Sequence, residues 1–134
     1  MGAWGAGIYD NDDAADWSAE VGERGFSAVE AALDAVLGVD HVEAPDGTYA
    51  LAAADVVARL ASGRGEDSPY CEDIVNWVEA NAGAPADSLI VKAQQAVERV
   101  RGNDSELAEL WSENASSVTE WLATLADIEQ RLRS

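Results

Sequence analysis

The chain is poor in the residue types on which most recognisable chemistry depends. Its 134 residues include one cysteine, one histidine and one lysine. Cys71 alone excludes an internal disulfide and a cysteine zinc site, and its neighbours Tyr70 and Glu72 bring no positive charge to activate a thiolate. His41 alone excludes an HExxH zinc site. It is flanked by Asp40 and Glu43, which makes it a candidate acid or pH switch, although a lone loop histidine is ordinarily a solvated one. Lys92 has no glycine run before it, so there is no phosphate-binding loop, and no serine stands in a G-x-S-x-G elbow. GAWGAG at residues 2–7 spells a loose G-x-x-G-x-G, but it does not join a strand to a helix and is no dinucleotide site. No apolar run approaches the roughly 18 residues of a membrane span, and no basic stretch precedes an apolar one as in a signal peptide. The expectation is a cytoplasmic protein.

Positive charge is the other scarcity. Eight basic side chains face 26 acidic ones, for a formal net charge of −18. Such a field repels phosphate backbones and anionic lipid, which argues against nucleic-acid and membrane partners, and it attracts basic proteins and divalent cations. The carboxylates are spread along the whole chain rather than bunched in a tail, a distribution that also suits an acidic surface kept for solubility.

What the chain does have is hydrophobic residues, 48% of the total, and five tryptophans that need an interior or an interface. The length suits one domain spanning residues 1–134 with one core. Apolar residues recur at helical spacing, and the pattern predicts six or seven helices with short connections: an all-α compact bundle. A short helix runs from the Asp10–Asp12 region to about Glu20, where Gly22 and Gly25 end it. A second starts at Ser27, with Glu30 completing a capping box, and carries the stripe Phe26, Val29, Leu33, Val36, Leu37. Pro45-Asp46-Gly47 reads as a turn in a loop over 39–47, in which Val39 and Val42 are candidates for a very short strand. A third helix covers Tyr49–Ser62, with Leu51, Val56, Val57 and Leu60 as its apolar face. A fourth covers about 71–81, burying Ile74, Val75, Trp77 and Val78. A fifth covers Asp87–Arg101, with Glu98, Arg99 and Arg101 left to solvent. The remainder divides into two helices near Asn114–Ser117, since Asn and Ser weaken a helix locally and can cap the next one. Trp77 and Trp121 are assigned to the core, which makes their alanine variants among the most damaging expected.

The first seventeen residues, MGAWGAGIYDNDDAADW, are the most specific stretch. Residues 1–9 form an extended glycine/aromatic arm expected to pack on the bundle, with Trp4 docking on its own domain or inserting into a partner. Asp10, Asp12, Asp13 and Asp16 then gather where the first helix begins. Positions 12 and 16, and 13 and 16, share a helix face, and hard oxygen ligands so placed suit Ca²⁺ or Mg²⁺. The spacing is not an EF-hand, because Ala14 replaces a ligand and neither the turn glycine nor the terminal glutamate is present. The competing explanation is electrostatic: carboxylates in a first turn satisfy free N–H groups and favour the positive helix end, each contributing about 0.3–1 kcal/mol. The electrostatic explanation is preferred, with no required cofactor. Asp12, Asp13 and Asp16 stay as the metal candidates, and Trp4, Tyr9, Asp10, Asn11, Asp12, Asp13 and Asp16 as candidate binding residues.

This opening motif resembles that of the DUF4259 family of small bacterial and archaeal proteins. ALAAADVVARLAS at 50–62, Trp77-Val78, SELAELW at 105–111 and the closing WLATLADIEQRL fit the same pattern along the chain. The resemblance implies a small, predominantly helical protein and carries no established activity, hence no catalytic residue. The reading from sequence is a non-enzymatic acidic helical protein that binds a basic protein partner, in the manner of an immunity protein or antitoxin. The alternative is a divalent-metal-binding protein or hydrolase centred on the N-terminal aspartates.

Overall fold

In a helix, alanine has the highest intrinsic propensity and the smallest girth, and the segment after Pro45 exploits both. In the computed structural model, which describes residues 12–65, 72–81 and 83–133 (Asp12 by its backbone only), every residue from Ala50 to Leu60 is buried. This segment belongs to helix α3, Ala44–Ser62. Around it stand α1 (Asp12–Arg24), α2 (Phe26–Leu37), α4 (Glu72–Ala80), α5 (Asp87–Arg101), α6 (Glu106–Ser112) and α7 (Ala115–Leu132). All six pack against α3. A helix covered on every side needs small residues on several faces, and Ala50, Ala52, Ala53, Ala54 and Ala58 supply them. The seven helices make the all-α bundle that the periodicity predicts, with no strand among the described residues.

Several boundaries differ from the sequence-based expectation, each for a local reason. Helix α1 continues past Glu20 and through Gly22 to Arg24, and Gly25, with φ 61°, makes the corner. The capping box at Ser27 does not form. Gly25 takes the N-cap position, its carbonyl accepting from the N–H groups of Ala28 and Val29, and no side chain caps α2. Pro45, Asp46 and Gly47 are the first turn of α3 rather than a loop turn, a place where proline loses no hydrogen bond. Two contacts from α6 explain the early start. The Glu106 carboxylate accepts the Ala44 N–H at 2.7 Å, and a Cβ on Gly47 would stand only 3.3 Å from Leu107.

The α2–α3 connection is tied down without a strand. Val42 donates its N–H to the Asp104 carbonyl and accepts from the Glu106 N–H, both at 2.8 Å, forming an isolated bridge with Ser105. Asp104 adopts φ 56° here, a conformation that aspartate tolerates better than most residues. Arg99, expected to point to solvent, instead reaches across this junction. Its guanidinium donates to the carbonyls of Asn103 at 2.7 Å, Asp40 at 2.9 Å and Val39 at 3.3 Å. Arg101, also expected outside, pairs with Glu129 of α7. At the other predicted division, Asn114 caps α7 by accepting from the N–H groups of Ser116 and Ser117.

The four tryptophans among the described residues divide into two groups. Trp17 and Trp121 are buried, with Leu33, Ile74, Leu125 and Ile128 among the core residues around α3. Trp77 and Trp111 are half-buried, at the margin. Trp77 receives Phe26 edge-on at 5.0 Å between ring centres, and Trp111 stacks on Trp121 at 6.2 Å. Phe26 and Leu37, the ends of the α2 stripe, are partly exposed.

Candidate functional site

Four carboxylates from two helices act electrostatically on one phenol, that of Tyr49. Asp13, Asp16 and Glu20 lie on successive turns of α1, and Asp46 lies in the first turn of α3. Tyr49, one turn further along α3, is half-buried against the core. Burial and then the negative charge of Asp13, Asp16, Asp46 and Glu20 raise its pKa above the ordinary tyrosine value. Both causes disfavour the phenolate: less water reaches the oxygen, and like charges repel it. Tyr49 therefore keeps its phenolic proton to higher pH than usual. Asp13 and Asp16 are exposed.

Five of the chain's eight cations, by contrast, pair with its own carboxylates. Asp55 is buried in the middle of α3 and receives Arg59 Nε on Oδ2 at 2.7 Å and Arg131 Nη2 on Oδ1 at 2.6 Å. Arg131, on α7, also donates to Asp127 at 2.9 Å and to the Arg64 carbonyl at 3.0 Å. A Cβ on Gly65 would fall 2.5 Å from Arg59 Cζ, so the backbone after α3 lies directly on that guanidinium. Arg24 pairs with Glu20, Lys92 with Asp34, and Arg101 with Glu129. The Asp34 carboxylate, by hydrogen bond, keeps Lys92 charged to higher pH than usual. The buried Asp55 cluster joins α3, α7 and the segment after α3 into one unit. With both carboxylate oxygens occupied, it is a clamp rather than a reaction centre.

A family model described as "Domain of unknown function (DUF4259)" matches residues 2–124. The chain belongs to the DUF4259 family. No curated protein and no solved structure matches it.

The other residues singled out from this DUF4259 sequence are distributed as follows. Trp4, Tyr9, Asp10 and Asn11 lie outside the described residues, as do the arm at 1–9 and Cys71. The backbone of Asp12 opens α1, with Asp13 beside it in the first turn. Among the described residues no group of three or more His, Cys, Asp or Glu side chains is placed to hold a metal ion, and no helix is long and apolar enough to cross a membrane. His41 is exposed in the 39–43 connection. Sequence reasoning missed both Tyr49 and the Asp55 cluster. The Asp55–Arg59 spacing of four residues was a usable signal for half of the clamp.

Proposed function

We propose that this DUF4259 protein is an acidic helical interaction module that binds a basic protein partner, an immunity-like or antitoxin-like neutraliser being the most concrete form. The observation that carries this reading is the disposition of charge. Five of the eight basic side chains, Arg24, Arg59, Lys92, Arg101 and Arg131, are in ion pairs with the chain's own carboxylates. Arg99 is held by backbone carbonyls. Most carboxylates among the described residues are in no such pair, so negative charge outweighs positive on the exterior, where Arg64 and Arg133 are also exposed. A surface of this kind steers an oppositely charged protein and repels like-charged competitors, raising association rates more than intrinsic affinity. Tyr49, under the charge of four carboxylates, supplies the aromatic anchor that such interfaces use.

The test is affinity capture on the immobilised full chain at low ionic strength from the native cell extract, followed by a salt gradient. The expected outcome is retention of basic proteins that elute as salt rises, with retention weakened by Asp13→Asn together with Asp16→Asn. Retention of acidic or neutral proteins, indifferent to salt, would overturn the reading.

A further inference from the structure

Helix α4 is attached to the bundle differently from the other described helices. Helices α2, α3, α5, α6 and α7 are joined by polar ties: Asp34 to Lys92, Asp55 to Arg131, Glu129 to Arg101, and Glu106 to the Ala44 N–H. Helix α1 runs into α2 through Gly25 alone and buries Ala14, Trp17, Ser18 and Val21. Helix α4 has neither kind of anchor. Among the described residues, no α4 side chain makes a hydrogen bond or ion pair to another helix. Of its nine residues Ile74 alone is fully enclosed. Val75, Trp77 and Val78 are half-buried at the margin, and Trp77 meets Phe26, itself partly exposed. Among the described elements α4 packs on α1 and α3 only.

The backbone on either side suits movement of this one element. Before α4 the chain is fastened as far as Gly65: the Arg64 carbonyl accepts from Arg131, and Gly65 lies on the Arg59 guanidinium. After α4, Gly83 takes φ 147°, a backbone angle that favours glycine, and a Cβ there would meet open space. Helix α5 then begins at Asp87 without a side-chain cap. An element with few buried apolar contacts opens at lower free energy than the core on which it rests. We propose that α4 is a displaceable cover, leaving and rejoining α1 and α3 as one unit while the other helices stay folded. Its departure exposes Ile74 and the surface that Ile74 covers, which the closed form keeps from solvent.

The test is native-state hydrogen exchange on the full chain, followed amide by amide by NMR. The expected result is one common opening for the α4 amides Asn76–Ala80. They should exchange at least about a hundredfold faster than the α3 amides Val56–Leu60. Their exchange should depend little on added denaturant, because a small opening exposes little surface. Ile74→Ala should speed exchange throughout α4 by roughly tenfold or more, as loss of an enclosed aliphatic side chain does. Val75→Pro, which breaks α4 from within, should leave the amides of α3 and α7 protected. Exchange of α4 at the α3 rate, or loss of protection throughout the bundle in Val75→Pro, would overturn the proposal. Unrelated rates within α4 would also overturn it, since they mark fraying rather than release of a unit.

Discussion

The same residue types do opposite things at the Asp55 cluster and at the Tyr49 face. Inside, one aspartate is matched by two arginines, every oxygen is occupied, and the group ties α3 to α7. Outside, Asp13 and Asp16 face solvent near a tyrosine whose acidity they suppress. A buried charge must be compensated, because desolvation penalises it heavily; an exposed one is stabilised by water and remains available for binding. The contrast separates charges that hold the fold from charges that water alone compensates.

The largest effect expected is therefore inside. Asp55→Asn leaves Arg59 and Arg131 without their shared counter-charge and should lower stability by about 3–5 kcal/mol, measured by chemical denaturation. A loss below about 1 kcal/mol would mean that the clamp is incidental. The indoles extend the comparison from charge to packing. Trp121→Ala, at a fully enclosed position, should cost about 3–5 kcal/mol. Trp77→Ala, at the margin against Phe26, should cost clearly less, and equal losses would erase the distinction between interior and margin. That ordering revises the sequence-based expectation, which put the two together in the core.

The smallest effect is at the outer face. Asp13→Asn with Asp16→Asn should change stability by no more than about 0.5 kcal/mol per site, as surface substitutions do. The pair should nonetheless lower the pKa of Tyr49 toward its ordinary value, read as the difference in alkaline absorbance titration against a Tyr49→Phe background. The linkage has a definite sign. A folded-state pKa raised above the unfolded one means that Tyr49 contributes stability below the unfolded tyrosine pKa near 10, and that this contribution is lost as pH rises through the folded value. Tyr49→Phe should accordingly flatten the alkaline fall in stability. An unchanged Tyr49 titration in the double aspartate variant would show that Asp13 and Asp16 have no part in the shift, leaving burial with Asp46 and Glu20.

The helices were legible because their apolar stripes are continuous. Leu33 and Val36, or Leu125, Ile128 and Leu132, need no knowledge of the partner surface to be placed inward. The division at Asn114 was legible because the capping group lies within three residues of the N–H groups it serves. The start of α3 was not, since Pro45-Asp46-Gly47 suits a turn as well as a first helical turn, and the decision rests on Glu106 and Leu107, distant in sequence. The clamp was half legible. Arg59 is four residues from Asp55, but Arg131 is 76 residues away, and nothing local marks it as a partner. The charge asymmetry behind the proposed role is visible in composition; which carboxylate each paired cation meets is a property of the fold alone.

Lys92 gives that fold a practical handle. As the sole lysine, it offers amine-directed reagents one ε-amino target, and its bond to Asp34 places that target on the seam between α2 and α5. A crosslinker or fluorophore attached there would sit about one helical turn from Gln95, and would register an approaching protein at a known position without an engineered cysteine.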